Sequence, residues 1–515
     1  MAKAAIPVLV GGARRVVRDG DPGSGFIPSP QGLMVAAARA ALADCGVEAA
    51  RLCERIDTVA AIRTFADTAP QFATPFGHCD NYPAFVARAL GVTPRRCLYP
   101  VVGGNTPQWL VNLLAEDIRT GRSGMALIVA GEAMRTAARA MRAGRTLDWS
   151  AEEGEDPEVI GDARPGFSSH EARHGLGDPP ATYALFETAT AAHRGRSMAA
   201  HRRHLGRWLA RFSEIAAAEP HAALPVARGA DEIVAPTPDN RMIAWPYTKF
   251  MCANMFVDQS AAVLLTSTEA ARELGIPGER WVWLAGSADV DDKWLVSERL
   301  DHHSAPAIHV GARAALAQAG VGVDEVDAFD LYSCFPVAVE LAADALGIAP
   351  DDRRGLTLTG GLPFYGGPGN GYALHAVAAM VKRLRVRRGS VGLVSGNGWY
   401  LTKHSFGVYR SAPPAEPWAR RDPACDQAVI DAQSSPRLRP EAAGEGTIET
   451  FTVVFSREGP ERGIVIGRLA ADGTRFLANT APGDRAACER LMHEESIGRP
   501  VRVRQAAGRG IVELL

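Results

Sequence analysis

The stretch "GGLPFYGGPGNGYALH", residues Gly360–His375, sets a glycine-rich loop directly in front of a segment with the pattern of an amphipathic helix. It holds six glycines and two prolines, a density that disfavours both a regular helix and a central strand. The first half of the chain carries a related turn, "VVGGNTPQW", which also precedes a helix pattern. A Gly-Asn pair marks both turns, as Gly104-Asn105 and Gly369-Asn370. The loop therefore belongs to a repeated unit.

Two further pairs of segments repeat in the same order. "AARAALADCG" (from Ala37) and "GARAALAQAG" (from Gly311) share six consecutive residues, and the β-rich runs "IDTVAAI" and "VDAFDLY" follow them. "LLAEDIRTGRSGMALIVAGEAM" (from Leu113) parallels "MVKRLRVRRGSVGLVSGNGWY" (from Met380) as helix, turn, buried strand and glycine. Repeats in matching order predict two copies of one α/β unit. The continuous apolar strands predict sheets that helices cover on both faces.

Symmetry between the two copies would bring two helix N-termini to one place. Such termini offer unpaired N–H groups and partial positive charge, which suit a carbonyl oxyanion or a thioester. The alternative is that the glycines only tighten two turns. The predicted oxyanion and substrate loops comprise Gly104, Asn105, Gly367, Gly369, Asn370 and Asn397.

These motifs, with "FVDQSAAVLLTS" and "DLYSCF", make the chain resemble the thiolase superfamily over roughly residues 5–415. Among its members the chain looks most like the sterol-carrier-type thiolase-like proteins, often labelled acetyl-CoA acetyltransferases. The resemblance implies an α/β architecture, the duplicated five-layered αβαβα thiolase fold. It also implies CoA or acyl-CoA as the substrate, with no tightly bound cofactor.

The chain departs from the thiolase pattern where the chemistry is done. The position of the nucleophilic cysteine is Gly104, and the Gly-His-Pro motif reads Gly366, Gly367 and Pro368. The Asn or His of the strand-end motif is Tyr332, and the second catalytic cysteine falls near Gly396 or Asn397. Without a thiolate at the first position, the usual covalent acyl-enzyme has no nucleophile.

Several polar side chains stay near the predicted site. The candidate catalytic residues are Tyr332, Cys334, Tyr365, His375 and His404, with Tyr247 and Cys252 close by. A cysteine is a candidate displaced nucleophile, and histidine and tyrosine are candidate acid–base groups or oxyanion donors. The alternative for each is structural, because buried cysteines are commonly inert and buried tyrosines commonly satisfy one hydrogen bond.

The segment rich in Arg, His and Ala corresponds to the thiolase loop domain that covers CoA. Arg194, Arg196, Arg202 and Arg203 are therefore candidate partners of the CoA phosphates. The alternative is a solvated basic helix face. The predicted division of the chain is residues 1–150 with 246–290 as the N-terminal half, 151–245 as the loop domain, 291–412 as the C-terminal half, 413–435 as a linker and 436–515 as a barrel.

The C-terminal segment alternates apolar and polar residues between turn signals, as in "GTIETFTVVFSREGPERGIVIGRLAADGTRFLANT". This pattern predicts a small antiparallel β-barrel of the OB-like type. It resembles the extra domain of thiolase-like proteins and the separate OB-fold partners of thiolase-like aldolases. Such partners often carry zinc, but the chain has no CxxC pair, so no metal is predicted. A formal net charge of -2 and the lack of an aromatic platform argue against nucleic acid.

Three functions follow as hypotheses. The first is acyl transfer or carbon–carbon bond chemistry on a CoA thioester. The second is a cysteine-independent (retro-)aldolase, a lyase acting on a β-hydroxyacyl-CoA, by resemblance to the aldolases of steroid side-chain degradation. The third is a non-catalytic acyl-CoA-binding or scaffolding subunit. A homodimer and a separate partner enzyme both stay open, and eight scattered cysteines without a signal pattern or apolar span predict a cytoplasmic protein.

Overall fold

The computed structural model describes residues 5–18, 27–349, 351–493 and 495–515. Strands and helices are numbered in chain order. The strands within those ranges are β1 (Pro7–Val16), β2 (Thr58–Ala61), β3 (Arg96–Leu98), β4 (Met125–Ala133), β5 (Met242–Ala244), β6 (Tyr247–Thr248), β7 (Asp258–Ser267), β8 (Val282–Asp291), β9 (Ala328–Asp330), β10 (Val391–Gly398), β11 (Lys403–Arg410), β12 (Gly444–Ser456), β13 (Gly459–Leu469), β14 (Arg475–Asn479), β15 (Pro500–Ala506) and β16 (Arg509–Leu514). The helices are α1 (Pro30–Asp44), α2 (Ala49–Cys53), α3 (Tyr82–Leu90), α4 (Thr106–Arg119), α5 (Met134–Arg142), α6 (Ser169–His174), α7 (Pro179–His193), α8 (Met198–Ala218), α9 (Ala230–Val234), α10 (Thr268–Leu274), α11 (Pro306–Ala319), α12 (Pro336–Leu346), α13 (Gly361–Phe364), α14 (Tyr372–Val386), α15 (Pro423–Asp431) and α16 (Arg485–His493).

The internal repeat predicted from the sequence is confirmed in the main sheet. In the described part of the chain its strand order is β3-β2-β4-β7-β1-β8-β11-β10-β9. The run β1, β7, β4, β2 matches the run β8, β11, β10, β9, with two antiparallel pairs and then a parallel pair in each. The two runs meet where Val8 and Leu9 of β1 pair with Trp283 and Val282 of β8.

The helices form layers on either side of the strands. Helix α1 packs on β1, β4 and β7, and helix α11 packs on β8 and β11. Helices α4 and α14 contact each other and also contact strands of both halves, so they form the central layer. Strand β4 reads "MALIVAGEA" and is buried throughout because both of its faces are covered. The expected αβαβα thiolase fold is thereby confirmed.

The C-terminal strands close into the expected barrel. Within the described residues the ring runs β12-β13-β14-β16-β15 and back to β12, and α16 packs against β12 and β13. The barrel packs on the predicted loop domain, residues 151–245, called the loop segment below. Val454 of β12 pairs with Ala244 of β5, and α7 packs along β12. The predicted linker is not a plain connection. It contains α15, and its buried Trp418 donates an indole N–H to Ser287 Oγ at 3.2 Å.

The edge of the main sheet at β3 is covered by the chain itself. The N–H of Tyr99 donates to the main-chain oxygen of Glu158 at 3.0 Å, and the N–H of Glu158 donates to that of Cys97 at 2.8 Å. Residues 158–160 therefore occupy an edge that otherwise offers unpaired groups to a second sheet. Among the described residues, no helix combines the length and apolar character needed to cross a membrane.

Candidate functional site

The space around Gly104, where the resemblance to thiolases implies a nucleophile, is occupied by other residues. Gly104 precedes α4, and a Cβ built on it would lie 2.1 Å from Tyr332 Oη and 2.5 Å from the main-chain oxygen of Asn397. Both distances are far inside van der Waals contact, so a side chain at residue 104 would displace its neighbours. The Tyr332 ring is buried and packs edge-on against Tyr372, with 5.6 Å between the ring centres. Burial raises the pKa of the Tyr332 hydroxyl. A tyrosine hydroxyl thus stands where a thiolate would act.

The other two lost catalytic positions differ from each other. A Cβ on Gly396, near the second cysteine position, would lie 2.8 Å from Asn105 Cα, so that position is closed as well. A Cβ on Gly367, the histidine position, would meet Ala253 Cβ and Leu362 Cδ2 at 3.4 Å, which is ordinary contact. The place of the histidine is therefore open, whereas both cysteine places are occupied.

Three of the sequence-predicted residues come together around one small cavity. Tyr332, Asn397 and His404 line a space of about 10 Å³, which has room for roughly one water molecule. Asn397 Oδ1 and His404 Nε2 are buried, and neither has a hydrogen-bond partner in the part of the chain that the structure describes. Burial lowers the pKa of His404 to about 4, so its ring is neutral at physiological pH. The cavity suits a bound water and is too small for an acyl group.

Cys334 lies beside this cavity in a setting that keeps its thiol protonated. Burial raises the pKa of Cys334 to about 12, and the Asn397 amide nitrogen approaches its Sγ at 3.8 Å. The same amide donates to Tyr183 Oη at 2.9 Å, and Tyr183 in turn donates to the main-chain oxygen of Trp399 at 2.7 Å. Sequence reasoning missed Tyr183 because it lies in the loop segment outside every recognised motif.

Tyr365 and His375 form a separate pair in the core. Tyr365 Oη and His375 Nδ1 are 2.7 Å apart, and both side chains are fully buried. The Arg14 guanidinium lies 5.9 Å from the centre of the Tyr365 ring and pairs with Glu219 at 3.2 Å. Burial, with this neighbouring positive charge, lowers the pKa of His375 well below its usual value. The Tyr372 ring makes edge-on contacts with Tyr365 and with Tyr332, so it connects this pair to Tyr332.

The two Gly-Asn turns do converge, but largely on each other. Asn370 Oδ1 accepts the N–H of Gly103 at 3.2 Å, and its amide donates to the main-chain oxygen of Arg63 at 2.9 Å. Asn105 donates to Ser405 Oγ at 3.3 Å. Gly369 adopts a φ of 52°, and a Cβ there would lie 2.3 Å from a carboxylate oxygen of Glu132. These hydrogen bonds join the two halves of the chain behind residue 104.

Tyr247 and Cys252 lie outside the cavity at Tyr332. Tyr247 Oη donates to Glu187 Oε2 at 2.8 Å, and Cys252 Sγ contacts the main-chain oxygen of Thr248 at 3.4 Å. Burial raises the pKa of both side chains. Both contacts fasten the segment that leads into β7.

Three of the four arginines proposed for CoA phosphates are engaged inside the protein. Arg194 pairs with Glu340 at 2.6 Å and with Asp344, and Arg196 approaches Glu340 at 3.9 Å. Arg202 donates to the main-chain oxygen of the last residue of α9, and its guanidinium lies 5.1 Å from the centre of a tryptophan ring. Arg203 is exposed.

Arg203 is the first residue of an exposed basic stripe on α8. Arg207 and Arg211 follow at four-residue spacing and are also exposed. A cavity of about 200 Å³ lies against this stripe, lined by His204, Arg207, Trp208, Arg211 and Asp351. In the ranges that the structure describes, these three arginines have no carboxylate partner, so their charge faces solvent. No sequence pattern singles out Arg207 and Arg211, because the whole segment from Arg194 to Arg211 is rich in arginine.

The fold, with its two equivalent halves and its C-terminal barrel, defines a thiolase-superfamily protein. Residues 427–507 match the model of the thiolase-like protein type 1 additional C-terminal domain. A monomeric SCP2-thiolase-like protein type 1 from Mycobacterium smegmatis has 36% sequence identity and a TM-score of 0.85, covering 100% of both chains. The chain belongs to the SCP2-thiolase-like protein type 1 family.

More distant structures share the fold alone. Acetyl-CoA acetyltransferase from Syntrophomonas wolfei has 16% identity and a TM-score of 0.55, covering 80% of this chain and 100% of its own. An Ltp2-ChsH2(DUF35) aldolase has 17% identity and a TM-score of 0.56, covering 82% of this chain and 100% of its own. The sequence search of curated proteins found no match.

Proposed function

We propose that the protein binds acyl-CoA without performing thiolase chemistry, as a non-catalytic acyl-CoA-binding subunit. One observation carries this proposal: a Cβ at residue 104 would lie 2.1 Å from Tyr332 Oη, so tyrosine occupies the nucleophile's place. Acyl transfer through a cysteine needs a thiolate that touches the substrate. The nearby Cys334 thiol stays protonated because burial raises its pKa to about 12. Both observations argue against acyl transfer through a cysteine, which is part of the first hypothesis.

The binding part of the proposal rests on the basic stripe of α8. Arg203, Arg207 and Arg211 present three guanidinium groups along one face, and guanidinium groups bind phosphate through paired hydrogen bonds. The adjoining cavity of about 200 Å³ is lined by Arg207 and Arg211, so a ligand bound in it would meet both guanidinium groups. The resemblance to thiolases implies CoA against this loop segment. We therefore assign the phosphates of CoA to this stripe in place of the internally paired Arg194.

Direct aldol cleavage is the second candidate. This reaction needs no thiolate. The Tyr332 hydroxyl and the His404 imidazole belong to residues that line the same cavity. An acid and a base so placed suit proton transfer to and from a β-hydroxyacyl group. The cavity of about 10 Å³ must open before such a group can enter. The aldolase hypothesis therefore ranks below simple binding.

The test is incubation with short and bulky 3-oxoacyl-CoA and 3-hydroxyacyl-CoA thioesters, followed by mass spectrometry of the thioesters and of the intact protein. We expect intact substrates and an unmodified protein. An acyl adduct on Cys334 would refute the proposal in favour of a transferase. Cleavage of the hydroxyacyl thioester without an adduct would refute it in favour of a lyase.

Binding is tested separately by calorimetric titration with CoA. The double variant Arg207→Ala, Arg211→Ala should bind CoA at least about tenfold more weakly, because each charged hydrogen bond contributes about 1.5–3 kcal/mol. Arg51→Ala, which removes an exposed arginine from α2, should leave CoA binding unchanged. Wild-type protein that binds neither CoA nor its thioesters would overturn this part of the proposal.

A further inference from the structure

A fully buried cluster of two carboxylates and one imidazole lies at the junction of the loop segment and the C-terminal half. Glu187 comes from α7, His201 from α8 and Glu340 from α12, and their exposed fractions are 0%, 0% and 1%. One oxygen of each glutamate and one ring nitrogen of His201 lie within 4.8 Å of one another. His201 Nε2 is 2.5 Å from Glu187 Oε1 and 3.7 Å from Glu340 Oε2. The three potential ligand atoms thus lie close together, and two of them share a hydrogen bond.

Each carboxylate is oriented by a second group that holds its other oxygen. Tyr247 Oη donates to Glu187 Oε2 at 2.8 Å. Arg194 and His204 lie 2.6 Å and 3.2 Å from Glu340 Oε1. Glu340 Oε2, which faces the centre, has no hydrogen-bond partner among the residues that the structure describes. Outer groups orient the ligands of metal centres in the same way. Here the hydrogen bond between His201 Nε2 and Glu187 Oε1 would have to open to admit an ion.

The charge of the cluster favours a divalent cation. Two buried carboxylates are costly to hold ionised unless cations compensate them. Arg194 pairs with Glu340 and Asp344, and Arg196 lies 3.9 Å from Glu340, so two guanidinium groups face the three carboxylates of Glu187, Glu340 and Asp344. Neutral imidazole with carboxylate oxygens is a ligand set that zinc accepts.

We propose that Glu187, His201 and Glu340 bind a structural zinc ion that fastens the loop segment to the C-terminal half. The inference is independent of the proposed acyl-CoA function. Because the three ligands are fully buried, the ion would have a structural role and would not meet substrate. Its three ligands come from three helices, so it would join α7, α8 and α12 through bonds that packing alone does not provide.

The experiment uses the purified full-length protein. Metal content is measured by mass spectrometry, the protein is stripped with a chelator, and zinc chloride is titrated calorimetrically while thermal unfolding is followed. We expect one zinc per chain, a higher unfolding temperature with zinc, and visible absorption bands when cobalt replaces zinc. Glu340→Gln and His201→Gln should abolish binding, and Tyr247→Phe should weaken it about tenfold. Glu214→Gln, at an exposed position of α8, is the matched control and should bind normally.

Stripped wild-type protein that stays folded by circular dichroism, takes up no zinc and keeps its unfolding temperature in excess zinc would overturn the proposal. The cluster would then be a proton-sharing network in which His201 bonds to Glu187. This wild-type measurement decides the question even if a ligand variant fails to fold.

Discussion

Adding a methyl group at residue 104 should destabilise the protein, whereas the same change at residue 367 should not. In Gly104→Ala the new Cβ would lie 2.1 Å from Tyr332 Oη and 2.5 Å from the main-chain oxygen of Asn397. The tyrosine hydroxyl can move a little, but the second contact is with the backbone of β10. Overpacking of this kind costs about 1–3 kcal/mol, and we expect the upper end, about 3 kcal/mol.

Gly367→Ala is the matched control at the other lost catalytic position. Its Cβ would make contacts of 3.4 Å with Ala253 and Leu362. The expected loss is below about 1 kcal/mol, because the smaller entropy of the unfolded chain offsets part of any strain. The prediction is therefore a difference of roughly 2 kcal/mol between two Gly→Ala variants.

The assay is urea unfolding followed by tryptophan fluorescence, with wild type and both variants measured side by side. Tyr332→Ala provides a further check, since removing the ring should lower the cost of Gly104→Ala by about 1 kcal/mol in a double-mutant cycle. A Gly104→Ala protein within about 0.5 kcal/mol of wild type would refute the reasoning. It would mean that β10 and Tyr332 yield easily and that the nucleophile position is accessible.

Three other predictions follow. Burial raises the pKa of Glu132 to about 8, and because this folded value exceeds the unfolded one, its contribution to stability falls as pH rises from about 4.5 to 8, by about 1.4 kcal/mol per pH unit. Glu132→Gln should therefore flatten the decline of unfolding temperature between pH 5 and pH 8, and an unchanged slope would contradict this. Arg475 is fully buried, pairs with Glu449 and donates to the main-chain oxygen of Ser297 at 2.9 Å, so Arg475→Met should cost about 3–5 kcal/mol and expose the barrel to limited proteolysis before the core. Light scattering should show a monomer, because residues 158–160 cover the edge of the sheet at β3 and prevent another sheet from pairing with it. A stable dimer would contradict this prediction.

The fold could be predicted from the sequence because its signals are local. The segments ARAALA and the Gly-Asn turns occur twice in the same order, and each signal spans few residues. The structure confirmed the equivalent strand runs and the closed C-terminal barrel. Within the predicted linker the structure adds α15 and a buried Trp418, which no local pattern indicates. Short helices in segments rich in proline and charge depend on tertiary packing more than on local pattern.

The candidate site was only partly predictable. Tyr332, Asn397 and His404 were named from motifs, and the structure places all three around one cavity. No sequence pattern indicates that the Tyr332 hydroxyl fills the space beside Gly104. The two residues lie in different halves of the chain, and only the packing of the Tyr332 ring brings them together. Nor does the sequence indicate that Arg194 would pair with Glu340 in preference to a ligand.

The sequence by itself determined the duplicated architecture and the family, because each of these depends on residue identity within short segments. The tertiary structure alone decided which lost positions are closed and which arginines face solvent, because both depend on distances between remote segments. It also decided the cluster of Glu187, His201 and Glu340, whose ligands come from three helices. Metal motifs are recognisable in a sequence when their ligands share a turn or helix, and here packing between helices brings the ligands together.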